Sequence, residues 1–261
     1  MKIDPLWQVP VHTIAEFMPK RHNYAMCVFV INEGENLLRQ LSEMVPLAKL
    51  LDIIIADGGS TDGSTARDTL IRLDVRTLLT KTDAGKLSAQ MRMAFAYCLE
   101  QGYEGIITVD GNHKDDTSAA PMFMAKLQDG YDHVQGSRFV PGGKAINTPL
   151  IRWLGLRVIH APLISLASGF HYTDTTNGFR AYSFRLLTDP GVQPFRDVFE
   201  AYELHYYLAI RAAELGFKVI EIPVTRVYPS NGKLPTKITP ISGNFRILNI
   251  LLRTVTHQYN P

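Results

Sequence analysis

At 261 residues with 46% hydrophobic and 10% aromatic composition, the chain is long enough to bury one large core or two closely packed lobes, and its composition excludes a disordered polypeptide. A formal net charge of +2 and a sequence pI near 8.5 are too mild for a nucleic-acid binder, so any anion must be held by local clusters of charge. Cys27 in YAMCVFVI and Cys98 in MAFAYCLEQG both sit in apolar patterns and read as buried thiols of a reducing compartment, not as a disulfide scaffold.

The opening stretch MKIDPLWQVPVHTIAEFMPKRHN lacks the uninterrupted apolar core of a secretory signal. AMCVFVI is then the first buried strand, and NEGENLLRQLSEMVPLA follows as a helix whose acidic first turn suits the helix dipole. LDIIIADGGSTDGST is a second strand running into a turn, with ARDTLIRL helical behind it. VRTLLT, the helix GKLSAQMRMAFAYCLEQG and the strand GIITVD complete a β-α-β-α-β-α-β order, the signature of a sheet with crossover helices and hence an α/β fold.

Beyond residue 116 the texture changes. PMFMAKLQDG is helical, DHVQGSRF is a short strand and loop, and VPGGKAINTP is a Gly- and Pro-rich connector. LIRWLGLRVIHAPLISLAS is helical in pattern, with Pro162 expected to kink or end it. No window is expected to reach the roughly 18–20 apolar residues of a spanning helix; the nearest, VIHAPLISLASGF, is short and holds His160 and Pro162. FEAYELHYYLAIRAAELG is a long amphipathic helix, KVIEIPVTRVY a strand, and NFRILNILLRTV a terminal amphipathic helix that either packs on the core or lies on a membrane surface.

In open α/β sheets ligands collect at the carboxyl ends of strands, where the strand order switches. Three acidic or polar motifs sit at such ends: INE, ADGGSTDGS and VDGNHKDD. Taken singly, the second is a turn and helix cap and the third an Asx turn, because Asp, Asn, Gly, Ser and Thr are what those positions favour. Three in succession point to a nucleotide pocket, with carboxylates on base and ribose and one acid facing a diphosphate. His113, His160 and His171 show no zinc spacing, and neither GxGxxG nor GxxxxGK[ST] is present.

The joint order of VFVINEGENL, DIIIADGGSTDGST, GKLSAQMRMAF, GIITVDGN, GSRFVPGGK, TTNGFRAYSFRLL and GFKVIEIPV resembles family 2 glycosyltransferases of the GT-A fold, nearest in pattern to the dolichyl-phosphate mannose synthase group. The resemblance runs from about residue 25 to about residue 240. It implies a Rossmann-like, mostly parallel central sheet flanked by helices. It also implies sugar transfer from a nucleotide donor with inversion, usually with Mg²⁺ or Mn²⁺ on the diphosphate.

Carried over by position, Asn32 and Glu33 lie beside the nucleoside, Asp57 on its base or ribose, and Lys86, Arg138 and Arg152 are further donor contacts, the arginines against phosphate. Asp110 and Asn112 take the DxD positions as metal ligands, with Asp110 also counted as catalytic. Asp174 is the first candidate general base, followed by Glu203 and Glu200, while Lys144 and Lys233 are candidates to close over phosphate. The pattern departs from the family at Gly58, where a second acid is usual, at Asn112 in place of an acid, and at Lys114, where a neutral ligand is common.

The expected organisation is an extension over 1–24, a catalytic region over 25–240 divided near 116 into donor and acceptor halves, and a helix over 241–261. The acceptor stays open between a sugar or other small hydroxyl compound and a lipid phosphate. The expected location is cytoplasmic, with peripheral contact to the membrane and no transmembrane segment. A nucleotidyltransferase and a non-catalytic nucleotide-sugar-binding paralogue are the other readings, the second favoured by Gly58 and Asn112.

Overall fold

The structure is a computed structural model that describes residues 6–230 and 242–261. Its centre is a sheet whose first five strands are β1 (His12–Glu16), β2 (Tyr24–Val30), β3 (Asp52–Asp57), β4 (Val75–Lys81) and β5 (Gly105–Asp110), with β2, β3 and β5 its most apolar runs. All six residues of β3 are buried, as expected of a strand covered on both faces. Between them run α1 (Glu35–Met44), α2 (Arg67–Arg72) and α3 (Leu87–Glu100). The second half supplies α4 (Ala120–Gln128), β6 (His133–Ser137), β7 (Lys144–Ile146), α5 (Leu150–Leu154) and α6 (Ala161–Ser168). It continues with β8 (Arg180–Ser183), α7 (Phe184–Thr188), α8 (Glu203–Glu214), β9 (Val219–Pro223), β10 (Thr225–Val227) and α9 (Ser242–Val255).

The main sheet has the order β1-β4-β3-β2-β5-β8-β6-β9, and β7 and β10 form a separate parallel pair. Strands β4, β3, β2 and β5 are mutually parallel, whereas β1 at one edge and β8 inside the sheet run antiparallel. One face packs on α3 and α8 through Phe95, Leu99, Leu204 and Leu208, and the other on α1 and α4 through Leu37, Leu41 and Phe123. Cys27 and Cys98 are free and buried, with sulfurs 3.6 Å apart.

Three features depart from the expectations. Residues before 25 are not all outside the sheet: His12–Glu16 pairs with Thr77–Lys81, and Trp7 stacks on Phe195 at 3.9 Å. The terminal helix α9 is no separate unit either, because Ile250 and Leu251 are buried with Ile164, Tyr206 and Ile210 of α6 and α8. Finally, Pro162 does not end its helix. A π-helical stretch, Gly155–His160, joins α5 to α6, and widening the turn just before a proline accommodates its missing N–H and its ring.

The result is one helix, Leu150–Ser168, of 19 residues, long and apolar enough to cross a membrane by length and composition. The expectation that no such window exists is therefore corrected. Most of this helix faces outward: Leu150 is 71% exposed, Ile151 79%, Val158 65% and Leu166 83%.

Candidate active site

The loops after β2 and β3 are tied to each other. Asn32, in the left-handed region at φ 49°, donates its backbone N–H to Ser60 Oγ at 2.9 Å and accepts from the Thr61 backbone N–H at 2.8 Å. Asp57 is buried, and its Oδ1 accepts from the backbone N–H groups of Gly59 and Ser60 and from Ser60 Oγ at 3.1, 2.9 and 2.7 Å. Gly58 has a packing reason: a Cβ there would stand 3.0 Å from Gln90 Nε2, which donates to the carbonyls of Val30 and Ala56. Glu33 is half-buried at the start of this loop pair, and Lys86 is exposed at the N-terminus of α3, its backbone N–H bonded to the Glu200 carbonyl at 2.7 Å.

The segment VDGNHKDD after β5 is held from further away. Buried Gln40 of α1 donates to the Asp110 carbonyl at 3.0 Å and accepts from the His113 N–H at 2.8 Å. Two backbone bonds join the segment to β10, Val227 N–H to the Lys114 carbonyl at 2.8 Å and Asp116 N–H to the Thr225 carbonyl at 3.0 Å. This brings Arg226 between two acids. Its Nη2 lies 3.2 Å from Asp110 Oδ2, and its Nη1 pairs with Asp115 Oδ2. Gly178 explains part of TTNGFRAY: a Cβ at that position would meet Asp110 Oδ1 at 2.9 Å.

Arg138 and Asp174 form a buried bidentate pair, Nε to Oδ2 at 2.6 Å and Nη2 to Oδ1 at 2.9 Å. Both Asp174 oxygens are engaged and its side chain has no exposure, so it holds Arg138 in place and is not disposed to take a proton from an acceptor. Glu203 is buried and accepts from the Ala201 N–H at 2.6 Å, and Glu200 is exposed at the other end of that turn. Lys144 is an exposed residue of β7, and Lys233 lies outside the described residues.

At the centre stands a residue that sequence reasoning did not single out. The Tyr228 ring has Lys114 Nζ at 5.5 Å and the guanidinium carbons of Arg226 and Arg152 at 5.8 and 5.9 Å from its centroid. Burial raises its phenol, but Arg226, Arg138 and Arg152 outweigh that and hold it below the ordinary tyrosine value. Burial likewise pushes Asp115 up to about 6 against the pull of Arg226, and burial followed by Arg226 lowers Lys114. The structure thus brings Asp110, Asn112, Arg138, Arg152 and Asp174 into one cluster with Arg226, Tyr228, Lys114 and Asp115. Asn32, Glu33 and Asp57 occupy the adjoining strand ends.

A hard divalent cation needs several oxygen ligands, with carboxylates supplying charge. Here Asn112 turns its Nδ2 toward Asp110 Oδ2 at 3.4 Å, and its buried Oδ1 has no partner. Asp110 and Asp115 already share a guanidinium, and no group of three or more His, Cys, Asp or Glu side chains among the described residues converges to hold a metal. One shared carboxylate and one amide oxygen fit Mg²⁺ or Mn²⁺ poorly.

No family model matches the chain. It is 30% identical over 202 residues to polyprenol monophosphomannose synthase of Mycolicibacterium smegmatis, covering 74% of this chain and 73% of that protein. The chain belongs to the family 2 glycosyltransferases. The enzyme is accordingly a hexosyltransferase, and it is also 29% identical over 202 residues to undecaprenyl-phosphate mannosyltransferase of Micrococcus luteus, covering 75% of this chain and 80% of that one.

In fold, this glycosyltransferase is similar to glucosyl-3-phosphoglycerate synthase of Mycobacterium tuberculosis in complex with UDP. The TM-score is 0.65 at 14% identity, covering 89% of this chain and 80% of that one. The same M. tuberculosis protein with Mn²⁺, UDP-glucose and phosphoglyceric acid gives a TM-score of 0.64 at 15% identity, covering 89% and 79% of the two chains. The mixed, mostly parallel sheet flanked by helices is the GT-A architecture.

Proposed function

We propose that this glycosyltransferase moves a hexose from a nucleotide-diphosphate donor, of the GDP-mannose or UDP-sugar type, to a polyprenyl phosphate, with inversion, while lying peripherally on the cytoplasmic face of a membrane. The observation that carries the reading is a juxtaposition. Arg152 belongs both to the cationic cluster around Tyr228 and to the exposed apolar helix Leu150–Ser168. A lipid chain lying along Leu150, Ile151 and Leu154 would bring its phosphate to the guanidinium groups. The names of both polyprenol-phosphate relatives agree with such an acceptor.

The nucleoside would rest on the loops of Asn32, Glu33 and Asp57, with Lys86 at their edge. The acceptor phosphate oxygen attacks the anomeric carbon on the face opposite the leaving diphosphate; the bond to the diphosphate oxygen breaks and its electron pair leaves on the diphosphate. An anionic acceptor needs no general base, which suits a chain whose candidate bases, Asp174 and Glu203, are already hydrogen-bonded. Charge growing on the leaving diphosphate is met by Arg138, Arg152 and Arg226, fixed in advance by Asp174, Tyr228 and Asp115.

The test is transfer of label from radioactive GDP-mannose and UDP-glucose into detergent-dispersed undecaprenyl phosphate, with undecaprenol and water-soluble sugars as alternative acceptors. Label entering lipid only when the phosphate is present is the expected result. Transfer to the free alcohol or to a soluble sugar, with none to the lipid phosphate, refutes the acceptor.

A further inference from the structure

Arg226 stands where the resemblance leads one to look for a metal. Its guanidinium lies 3.2 Å from Asp110, the first acid of the VDGN motif, and its other terminal nitrogen is paired with fully buried Asp115. It is fixed there by the isolated β-bridge between residues 115 and 226 and by the backbone bonds on either side of it. Asn112 presents an amide donor to the same Asp110 oxygen, and Lys114 is buried with its Nζ 5.5 Å from the Tyr228 ring centroid. A divalent ion placed against Asp110 would meet a guanidinium and an ammonium, and like charges at such range repel strongly in a partly buried site.

We infer that Arg226, with Lys114, Arg138 and Arg152 around Tyr228, binds the donor's diphosphate directly, without a divalent ion between them. This rests on the proposed transfer and goes beyond it by naming what holds the leaving group. The chemistry is apt: guanidinium is a planar fork matched to phosphate oxygens, and its charge-assisted bonds are roughly twice as strong as neutral ones. Asp115 and the bridge hold Arg226 in place, while Asp110 is a competing counter-ion that yields when the more highly charged diphosphate arrives. Four cationic side chains, Arg226, Arg138, Arg152 and Lys114, face three carboxylates, Asp110, Asp115 and Asp174, so the cluster retains an excess of positive charge for an anion.

The experiment is calorimetric titration of the full chain with GDP and with UDP, each in EDTA and in Mn²⁺. One nucleotide is expected to bind with the same Kd, within about twofold, in both buffers. The paired variant Arg226→Gln/Asp115→Asn, which replaces the buried ion pair by a neutral hydrogen bond, is expected to weaken binding by about 30-fold, the worth of a hydrogen bond to a charged group. Thermal unfolding of the variant checks that it is folded. Asp110→Asn needs no buried pair to be rebuilt and gives the sharper contrast. Releasing Arg226 leaves nucleotide affinity in EDTA unchanged or higher, whereas loss of affinity in that variant overturns the inference. Binding seen only with Mn²⁺ also overturns it and leaves the proposed transfer standing. Binding of neither nucleotide in either buffer overturns both.

Discussion

The loops after β2 and β3 and the segment after β5 end neighbouring strands of one sheet, yet they are held in opposite ways. The first pair is secured by short-range hydrogen bonds, with Asp57 capping Gly59 and Ser60. The segment at Asp110–Asp116 is secured by charge and backbone from β10, more than a hundred residues later in the chain. The first arrangement presents a prefolded, hydrogen-bonded ledge for a nucleoside. The second stores opposed charges whose balance shifts when an anion arrives. Stability and chemistry are therefore expected to separate between the two regions, and substitutions can test that separation.

The largest effect is expected at Asp115. Asp115→Ala leaves Arg226 buried without its main partner and should cost about 3–5 kcal/mol in urea unfolding. A loss below about 1 kcal/mol would mean that charge does not hold the segment after β5. Arg152→Gln should separate chemistry from stability. The residue is only half-buried and lies on an outward-facing helix, so unfolding should change by less than about 0.5 kcal/mol while transfer falls about a hundredfold. Equal losses in both would place Arg152 among the structural residues.

Next comes pH. His133 and His205 are held neutral by burial and then by Arg180, so their folded values lie below the ordinary 6.5. The unfolded chain takes up these two protons first, and stability must fall as pH drops below 6.5. Asp115, pushed up to about 6, takes its proton first in the folded state and offsets one of the two. Burial also lowers His160 and raises Glu221, so on balance stability should fall as pH drops from about 6.5 to about 5. His133→Phe should flatten this fall, and an unchanged slope would show that the histidine is not the source. The smallest effect is expected in the first pair of loops. Ser60→Ala removes a hydroxyl bonded to Asp57 and to the Asn32 N–H and should cost about 1 kcal/mol, with nucleotide affinity falling in step.

The same contrast governs what the sequence discloses. AMCVFVI, DIIIAD and GIITVD are visible as strands because a parallel sheet buries both faces, and the turn after DIIIAD is visible because Asp, Gly, Ser and Thr announce it locally. Strands β8 and β10 have four and three residues, too few for a period to show, and both are defined by partners distant in the chain. Asp174 reads as a free acid until Arg138, 36 residues earlier, is seen against it. The helix over Leu150–Ser168 reads as broken because a proline normally removes a hydrogen bond, and the π-helical stretch that absorbs it has no sequence mark. Arg226 left one clue. Two adjacent acids after Lys114 in a segment leaving a buried strand call for a cation from elsewhere in the chain.

The most direct measurement is a crystal structure of the protein grown with GDP or UDP in the presence of EDTA. The expected result is the nucleoside on the ledge of Asn32 and Asp57, with its phosphates bonded to Arg226, Arg138 or Arg152 beside Tyr228, and Arg226 moved away from Asp110. A nucleotide bound elsewhere, or phosphates standing clear of these guanidinium groups while Arg226 still bridges Asp110 and Asp115, would contradict it.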